Sequence, residues 1–303
     1  MPSDSASTSI TFFTPTFLKD IERFALLRRS IEMFAPTIPH IAVVDTEDHR
    51  EFVRRFGRDQ GLELLRSADV LPSEIERRRR KSGPKWLTGK WLRKNPIRGW
   101  HAQQLMKLFA LPNLKYEAAA FIDSDVLVCR PLTADYFYVH NRLKLFRRRA
   151  TNAEGFDFDI STHEIMGNPL HQVTELFDYI YSPSLFRRST GAALFAELER
   201  RGRFKKFVKR FLEERRPSEY NLLGYTATEI ERGRDYEVIE CEPDSLQHSI
   251  RFPEDRARFS EEIKHMVNQP KPFALIQSTV GIEPHDIAVA FDRLITSRQP
   301  TDA

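Results

Sequence analysis

Two aspartates lie one residue apart directly after an apolar run, in the stretch Ala118-Ala-Ala-Phe-Ile-Asp-Ser-Asp-Val-Leu-Val128. Alternate side chains of an extended strand share a face, so Asp123 and Asp125 are predicted to point one way and Ser124 the other. Such close carboxylates repel each other, and hard divalent ions such as Mg²⁺ and Mn²⁺ relieve the repulsion through oxygen ligands. Because open parallel sheets bind ligands at the carboxyl ends of their strands, we predict a metal that holds a diphosphate here.

Two other interpretations of the pair stay open. An Asp-Ser-Asp sequence after a strand is also typical of an ordinary turn, because Asp and Ser favour turn positions. In phosphohydrolases of the haloacid-dehalogenase type, a strand likewise ends in Asp-x-Asp, and the first acid is the nucleophile. That motif normally lies on the first strand, and a later pair of acids binds magnesium. Here several strand–helix units precede the motif and the chain contains no Asp-Asp dipeptide, so we prefer the metal–diphosphate site.

The elements predicted before this pair alternate between strands and helices. Apolar runs predict strands over 10–14 and 40–45, and apolar residues at helical spacing predict a helix over 17–34. A second helix opens at Thr46, with Val53 among the residues on its apolar face. Such alternation is typical of a parallel sheet built from βαβ units.

The remaining pattern predicts one domain over residues 10–295. Its fold class is α/β, with a mostly parallel mixed sheet flanked by helices. Residues 73–98 have weak periodicity and are predicted to form a flexible insertion, and residues 1–9 and 296–303 are predicted to be disordered tails. Further predicted elements are helices over 99–111, 185–199 and 204–214, a helix start at Ser218, and strands over 143–149, 236–240 and 273–278.

The length, composition and net charge are those of a globular protein. The chain has 303 residues, 41% of them hydrophobic, and its 47 Lys and Arg against 43 Asp and Glu give a net charge of +4. This mild excess suits a nucleotide ligand without requiring one. Cys129 and Cys241 are too few for a disulfide framework and too far apart for a zinc knuckle. With neither a signal-peptide pattern nor a long apolar run, we expect a cytoplasmic location.

Basic residues concentrate in two segments, 77–81 and 200–216. We interpret 204–214 as a core-facing amphipathic helix with a solvated basic face. Peripheral contact with anionic headgroups at the inner face of a membrane is the alternative. A non-enzymatic nucleic-acid-binding protein is the competing class. The chain lacks zinc-finger spacing, an RNP-type motif and a helix-turn-helix signature, so nucleic acid is not the expected partner.

Four segments carry a resemblance to a known family. Phe121-Ile-Asp-Ser-Asp-Val-Leu-Val-Cys-Arg-Pro-Leu132 resembles the Asp-x-Asp strand of GT-A nucleotide-sugar glycosyltransferases. Residues 10–16, 99–108 and 217–225, the last containing Ser-Glu-Tyr, are similar to a bacterial group of uncharacterised GT-A-like proteins. The resemblance implies a GT-A-like fold. It also implies metal-dependent transfer of a sugar from a nucleotide-diphosphate donor to a glycan, envelope-polysaccharide or lipid-linked acceptor.

The resemblance also implies which residues contact the donor. They follow the first two strands, lie on the helix before the metal strand, and belong to that strand itself: Thr14, Pro15, Thr16, Asp45, Gln103, Gln104, Lys107, Asp123 and Ser124. Gln103 and Lys107 are four residues apart, so one helix face can present both to a donor sugar or phosphate. The alternative is that Gln104 and Lys107 are solvated helix positions.

The catalytic residues that it implies are Glu219 and Asp125. Glu219 near the anomeric carbon would take the proton of the acceptor hydroxyl in an inverting transfer. Orientation of the acceptor, and a first-turn glutamate favoured by the helix dipole, are the alternatives for Glu219.

The implied metal is Mn²⁺ or Mg²⁺, held by Asp123, Asp125 and a late histidine. The spacing from His265 to Lys271-Pro-Phe273 is similar to the His to Lys-Pro-aromatic segment of glycogenin-like enzymes, although the central glycine is missing. His248 and His285 are the alternatives for this third ligand.

Overall fold

The computed structural model describes residues 10–80, 97, 99–151, 153–173, 175–269 and 271–296. The strands, in chain order, are β1 (Ile10–Thr16), β2 (His40–Val44), β3 (Leu62–Arg66), β4 (Ala118–Phe121), β5 (Val126–Val128), β6 (Tyr138–Val139), β7 (Arg142–Arg149), β8 (Phe177–Asp178), β9 (Ser184–Arg187), β10 (Tyr236–Glu240), β11 (Gln247–Ile250) and β12 (Phe273–Ile276).

Helices lie between most of these strands. They are α1 (Ile21–Phe34), α2 (His49–Phe56), α3 (Ser67–Val70), α4 (Ser73–Arg80), α5 (Gly99–Ala110), α6 (Ala153–Met166), α7 (Arg188–Arg200), α8 (Phe207–Glu213), α9 (Glu219–Tyr225), α10 (Phe259–Asn268) and α11 (Pro284–Thr296). A π-helix, Thr226–Ile230, continues α9. Short 3₁₀ turns cover Leu18–Asp20, Leu111–Asn113, Ala134–Phe137, Leu170–Gln172, Phe204–Lys206, Pro243–Ser245, Pro253–Arg258 and Ser278–Val280.

The main sheet has the strand order β3-β2-β1-β4-β9. The first four of these strands are parallel, and β9 pairs antiparallel with β4. Every residue of β1, β2 and β4 is buried, which is why their sequences are continuous apolar runs rather than alternating ones. This architecture confirms the predicted fold class, a single α/β domain with a mostly parallel mixed sheet flanked by helices.

The order of the strands reverses at β1. The chain runs from β1 outward through β2 to β3, and then returns to place β4 on the other side of β1. Ligands of open α/β sheets bind beside the carboxyl ends of strands at such a switch point. Residues that follow β1 and β4 are therefore the ones placed to meet a ligand.

The aspartate pair lies in a turn that follows β4, as in the alternative interpretation of the Asp-Ser-Asp sequence. β4 ends at Phe121, and the Val126 N–H donates to the Asp123 carbonyl (3.1 Å) to close the turn. β5 then leaves the main sheet and pairs antiparallel with β12 in a separate sheet of order β11-β12-β5. The apolar residues on both sides of the pair thus belong to two different sheets.

Other boundaries also differ from the sequence prediction. Val53, predicted on the apolar face of α2, is 43% exposed. The segment 185–199, predicted as one helix, begins as β9 and turns helical only at Arg188. The predicted insertion 73–98 begins with α4, and 81–96 and 98 lie outside the described residues, as do 1–9 and 297–303.

Two smaller sheets and the basic helix complete the domain. β7 pairs with β10, β6 and β8, and these strands flank the segment that leads into β9. The apolar side of α8 is buried at Phe207 and Phe211, which confirms a core-facing helix. None of the described helices is long and apolar enough to cross a membrane.

Candidate functional site

A pocket of about 440 Å³ opens beside the carboxyl end of β4. Its walls come from α5, the aspartate turn, the segment between β8 and β9, the start of α9, and the ends of β11 and β12. The described residues that line it are Trp100, Gln103, Gln104, Lys107, Asp123, Asp125, Arg148, Gly155, Phe158, Asp178, Ile180, Tyr181, Ser182, Arg216, Ser218, Glu219, Tyr220, Arg251, Phe252, Leu275 and Gln277. We call it the aspartate pocket.

The side wall of the aspartate pocket is built around one buried ammonium group. Lys107 is 2% exposed, and its Nζ donates to Asp123 Oδ1 (2.8 Å), to Glu219 Oε1 (3.0 Å) and to Tyr220 Oη (2.5 Å). An ammonium has three N–H donors, so all of them are used. Lys107 therefore organises the acids of the pocket and has no N–H left for a donor phosphate, which corrects the sequence-based expectation.

The charges of this cluster depend on one another. Burial alone would lower the pKa of the Lys107 ammonium, but Asp123, Tyr220 and Glu219 raise it well above its usual value. Burial raises the pKa of the Glu219 carboxyl, and the adjacent Lys107 only partly opposes that rise. One ammonium group thus lies between two acidic side chains.

The local sequence places Glu219 in this cluster. Ser218 has an extended backbone, and its hydroxyl accepts from the Asn221 N–H (3.2 Å), so it caps α9 as predicted. The Glu219 N–H donates to Gln104 Oε1 (3.1 Å), which ties the first turn of α9 to α5. Glu219, at 4% exposure, consequently points at Lys107 rather than into solvent.

Asp125 is the second acid of the pocket and forms no ion pair with any of the residues that the structure describes. Its Oδ2 accepts from the Ser278 N–H (3.3 Å), and its backbone carbonyl accepts from the Ile276 N–H (2.9 Å). Burial, together with the nearby negative charge of Asp123, raises the pKa of Asp125 to about 7. The turn therefore holds a carboxylate whose ionised form would be stabilised by an added positive charge.

The two aspartates fit a hard divalent cation. Lys107 uses Oδ1 of Asp123, and Oδ2 of that carboxylate has no partner within the part of the chain that the structure describes. Across the same residues, no group of three or more His, Cys, Asp or Glu side chains is placed to hold a metal ion. Mg²⁺ is commonly bound by one or two carboxylates with substrate phosphates completing its ligands, so two carboxylates are a sufficient protein contribution.

Two neighbouring glutamines of α5 also line the pocket. Gln103 Nε2 donates to the Pro15 carbonyl (3.4 Å). Gln104 is 2% exposed, so the prediction of a solvated position is wrong for it, and its Nε2 has no partner within the described chain. Its Oε1 accepts from the Glu219 N–H, so the orientation of the amide is fixed and Nε2 is the atom without a partner. A buried amide N–H₂ without a partner is a favourable place for a ligand oxygen.

The rest of the lining combines cationic and aromatic side chains. Arg148 pairs with Asp178 (2.8 Å), and Arg216 and Arg251 lie on other walls. Trp100 is 49% exposed and Phe252 is 55% exposed, so the two rings stand at the solvent edge of the pocket. Such a surface suits a ligand with phosphate groups at one end and a sugar face at the other.

The predicted donor residues at the ends of β1 and β2 do not line this pocket. Thr14 donates to the Ile122 carbonyl (2.7 Å), and His40 Nε2 contacts the same hydroxyl (2.9 Å). Thr16 is fully buried, as is Pro15, and the Thr16 hydroxyl finds no partner in the described chain. These threonines and the proline support the sheet directly beneath the switch point.

Three more predicted residues also lie elsewhere. Asp45 pairs with Arg79 (2.6 Å) on α4. Ser124 is 7% exposed and lies inside the aspartate turn, away from the lining. His265 is exposed on α10 and is not among the described residues of the pocket, so the structure does not bring it together with the two aspartates.

Several lining residues were missed at the level of sequence. Tyr220 lies in a motif that the sequence singles out, yet its contact with Lys107 joins residues 113 positions apart. Arg148 lies within a predicted strand, and the only local signal is its place in a run of three arginines. Arg251 and Phe252 follow β11, a strand that the sequence does not predict. Their place in the pocket is set by the tertiary fold alone.

The chain belongs to a family described as a family of unknown function, DUF6492, whose model matches residues 8–298. No protein of curated function matches the sequence significantly.

Three glycosyltransferases are among the solved structures that resemble the chain. The bifunctional glycosyltransferase WbbM has a TM-score of 0.45 at 11% identity, over 97% of this chain and 50% of that one, so this chain spans half its length. The galactosyltransferase LgtC, crystallised with donor and acceptor sugar analogues, has a TM-score of 0.46 at 10% identity, over 95% and 94%. Mouse xyloside xylosyltransferase 1 has a TM-score of 0.42 at 7% identity, over 90% and 100%. The activity of this protein is therefore inferred from its own pocket.

Lys107→Met should destabilise the protein by about 3–5 kcal/mol, because it leaves the carboxylates of Asp123 and Glu219 beside an apolar chain without their cation. Urea denaturation at neutral pH measures the loss. Lys209→Met is the matched control: Lys209 is 69% exposed on α8, and its removal should change stability by less than about 0.5 kcal/mol. Similar small effects for both variants would contradict the role given to Lys107.

Folding opposes ionisation of Asp125, because its pKa rises from 3.8 to about 7. The native state then binds the extra proton between these values, so stability is full at low pH and falls as pH rises through 7. Asp125→Asn removes this pH-dependent contribution to the free energy of unfolding. In chelator-treated protein the variant should gain about 2–3 kcal/mol relative to wild type between pH 5 and pH 8. Urea titrations across that range measure the difference, with exposed Asp244→Asn as the control expected to show a constant offset; a constant offset for Asp125→Asn would contradict the assignment.

Proposed function

We propose that the protein is a metal-dependent glycosyltransferase that moves a sugar from a nucleotide-diphosphate donor to a glycan acceptor. The observation that carries the proposal is the aspartate pocket at the switch point of the sheet. There an acid pair without sufficient counter-charge shares a cavity with three arginines and a buried carboxylate. A divalent cation would add positive charge beside the two aspartates, and an anionic donor would bring its phosphates to the guanidinium groups of the same pocket.

Asp123 and Asp125 would hold Mn²⁺ or Mg²⁺ between them. When bound there, such an ion supplies positive charge to the diphosphate as it leaves. Asp123 would offer Oδ2, since its Oδ1 is engaged by Lys107. Lys107 fixes the orientation of that carboxylate, which makes Lys107 a positioning residue rather than a ligand contact.

The donor would be oriented by side chains that already line the pocket. Arg216 and Arg251 provide guanidinium groups that suit phosphate oxygens. The unpartnered Nε2 of Gln104 suits a sugar hydroxyl, because a donor without an acceptor is costly when buried. Gln103 lies one residue before it on α5 and lines the same wall.

Glu219 would serve the acceptor. Its Oε1 accepts from Lys107, which leaves Oε2 for a ligand, and burial raises its pKa, which makes the carboxylate a better base. In the transfer, Oε2 would take the proton of the acceptor hydroxyl while that oxygen forms the new bond to the anomeric carbon. The diphosphate carries away the bonding pair of the broken sugar–phosphate bond.

The acceptor would approach over the aromatic edge. Trp100 and Phe252 come from different parts of the chain and are both about half exposed at the mouth of the pocket. Aromatic faces at an open edge suit the apolar faces of sugar rings. For a lipid-linked acceptor, the turn Phe204–Lys206 would supply peripheral membrane contact, because Phe204 is 40% exposed beside two exposed lysines.

A panel of nucleotide sugars with and without Mn²⁺ tests the metal and the donor together. One nucleotide sugar should raise the melting temperature of the wild type only in the presence of Mn²⁺. Asp123→Asn and Asp125→Asn should each lower kcat/KM for transfer by about 10²–10³-fold, the scale on which loss of transition-state charge stabilisation acts. Asp244→Asn, an exposed aspartate outside the pocket, is the control and should leave both readouts unchanged.

Two results would overturn this proposal. One is that Asp125→Asn keeps both metal-dependent nucleotide-sugar binding and transfer. The other is that no nucleotide sugar binds while a phosphate ester is hydrolysed with Mg²⁺, which would favour a phosphohydrolase.

Glu219→Gln tests the base separately from the fold. The amide keeps the size of the side chain and an oxygen for Lys107, but it cannot take a proton. We expect kcat to fall by about 10²–10⁴-fold with the KM for the donor little changed. Steady-state kinetics measure the split, with Glu261→Gln on the exposed face of α10 as the control. An unchanged kcat would leave Glu219 with a structural role only.

A further inference from the structure

A second cavity, of about 330 Å³, lies on the other side of the segment that follows β8. The described residues that line it are Asp159, His163, Asn168, Pro169, Val173, Glu175, Phe177, Tyr179, Tyr225, Thr228 and Glu229. We call it the acidic pocket. Phe177 and Tyr179 face it, whereas the alternate residues Asp178 and Ile180 line the aspartate pocket, as expected for an extended segment between two cavities.

The charges of the acidic pocket are of one sign. Of its described lining residues, three are carboxylates and none is Lys or Arg. Glu175 pairs with Arg149 (2.9 Å) at the solvent edge. Glu229 has neither a hydrogen bond nor an ion pair within the described chain. Two further guanidinium groups contact lining residues: Arg147 lies 4.0 Å from the Phe177 ring centroid and pairs with Glu240 (2.6 Å), and Arg201 donates to Asn168 and pairs with Glu197 (2.6 Å).

Asp159 forms the floor of the acidic pocket. It is 4% exposed, and its Oδ2 accepts from the Phe177 N–H (3.0 Å). Its Oδ1 has no partner among the residues that the structure describes. Burial raises the pKa of Asp159 to about 7. This oxygen belongs to a mostly buried carboxyl group that lines the cavity, so a ligand donor can bind to it there.

Hydrogen bonds fix His163 as a neutral neighbour of this carboxylate. Arg201 Nη1 donates to Asn168 Oδ1 (2.6 Å), so the Asn168 amide N–H₂ is the group that faces His163 Nδ1 (2.9 Å). Nδ1 therefore accepts, and Nε2 carries the proton on the side of Asp159 Oδ2 (3.8 Å). Burial lowers the pKa of His163, so the imidazole adds no positive charge to the pocket.

Aromatic faces enclose the remaining walls. Tyr179 packs so closely on α9 that a Cβ at Gly224 would lie 2.2 Å from its ring, which holds that ring in place. Tyr225 contacts the His163 ring edge-on, with centroids 5.3 Å apart. Thr228 and Glu229 come from the π-helix Thr226–Ile230, a rare geometry that is frequent at functional sites. Carboxylates combined with aromatic faces are the surroundings that bind organic ammonium groups.

From this geometry we infer that the acidic pocket binds a ligand carrying a protonated amine, with the ammonium on Asp159 and Glu229 and its carbon frame against Tyr179 and Tyr225. The ammonium would donate to Asp159 Oδ1 and supply the positive charge that the lining lacks. This site is separate from the aspartate pocket and does not depend on the proposed transferase activity.

A matched pair of probes tests the inference. Glucosamine and glucose differ only in an ammonium group that replaces one hydroxyl, so the difference between their dissociation constants measures recognition of the amine. NMR titration of the full chain at neutral pH should give binding of glucosamine at least about 10-fold tighter than that of glucose. Asp159→Asn and Glu229→Gln should each weaken glucosamine binding by about 5-fold or more and leave glucose unchanged.

Two controls locate the effect. Exposed Asp244→Asn and the aspartate-pocket variant Asp125→Asn should both keep the preference for glucosamine. Equal binding of the two sugars, or no binding of either, would overturn the inference. A preference that survives Glu229→Gln and Asp159→Asn, or one that is lost in Asp125→Asn, would also overturn it. Glu229 is exposed, so its variant should fold even if the buried Asp159 variant does not.

Discussion

The buried ammonium of Lys107 is the interaction on which the candidate site depends. Its contacts of 2.8 Å to Asp123 and 3.0 Å to Glu219 join α5, the aspartate turn and the first turn of α9. Removing Lys107, or removing the acids that it contacts, leaves a buried charge uncompensated. The loss of stability is then far larger than the contribution of a surface ion pair. The orientation of both acids therefore follows from a single side chain that itself has no N–H left for a ligand.

The position of the two aspartates at the end of β4 explains why they need a further positive charge. β4 ends beside β1, where the strand order reverses, and the chain turns immediately into a second sheet. That turn carries Asp125 next to Asp123, and burial together with the negative charge of Asp123 raises the pKa of Asp125 to about 7. The arginines that line the same pocket would complement an anionic ligand whose phosphates share a cation with the aspartates.

Much of the fold could be predicted from sequence, because buried parallel strands such as β1 and β2 are continuous apolar runs and α1 has clear helical spacing. The turn at Asp123 was predicted only as an alternative, because apolar residues resume at once in β5, which belongs to another sheet. β9 was missed because its short apolar run continues into the periodic pattern of α7. Within the site, the aspartates could be found from their spacing, but the role of Lys107 could not. It rests on contacts with Glu219 and Tyr220, which lie more than 100 positions away. It also rests on the burial of Lys107, which the sequence does not predict because lysines on helices are mostly exposed.

Anomalous diffraction at the manganese edge, from crystals grown with Mn²⁺ and a nucleoside diphosphate, tests the central claim most directly. The account predicts a manganese peak in the aspartate pocket, contacting carboxylate oxygens of both Asp123 and Asp125 together with diphosphate oxygens. Lys107 should remain on Asp123 and Glu219 in that complex. A nucleoside diphosphate bound in the pocket without manganese at the two aspartates, or manganese bound only elsewhere on the chain, would contradict it.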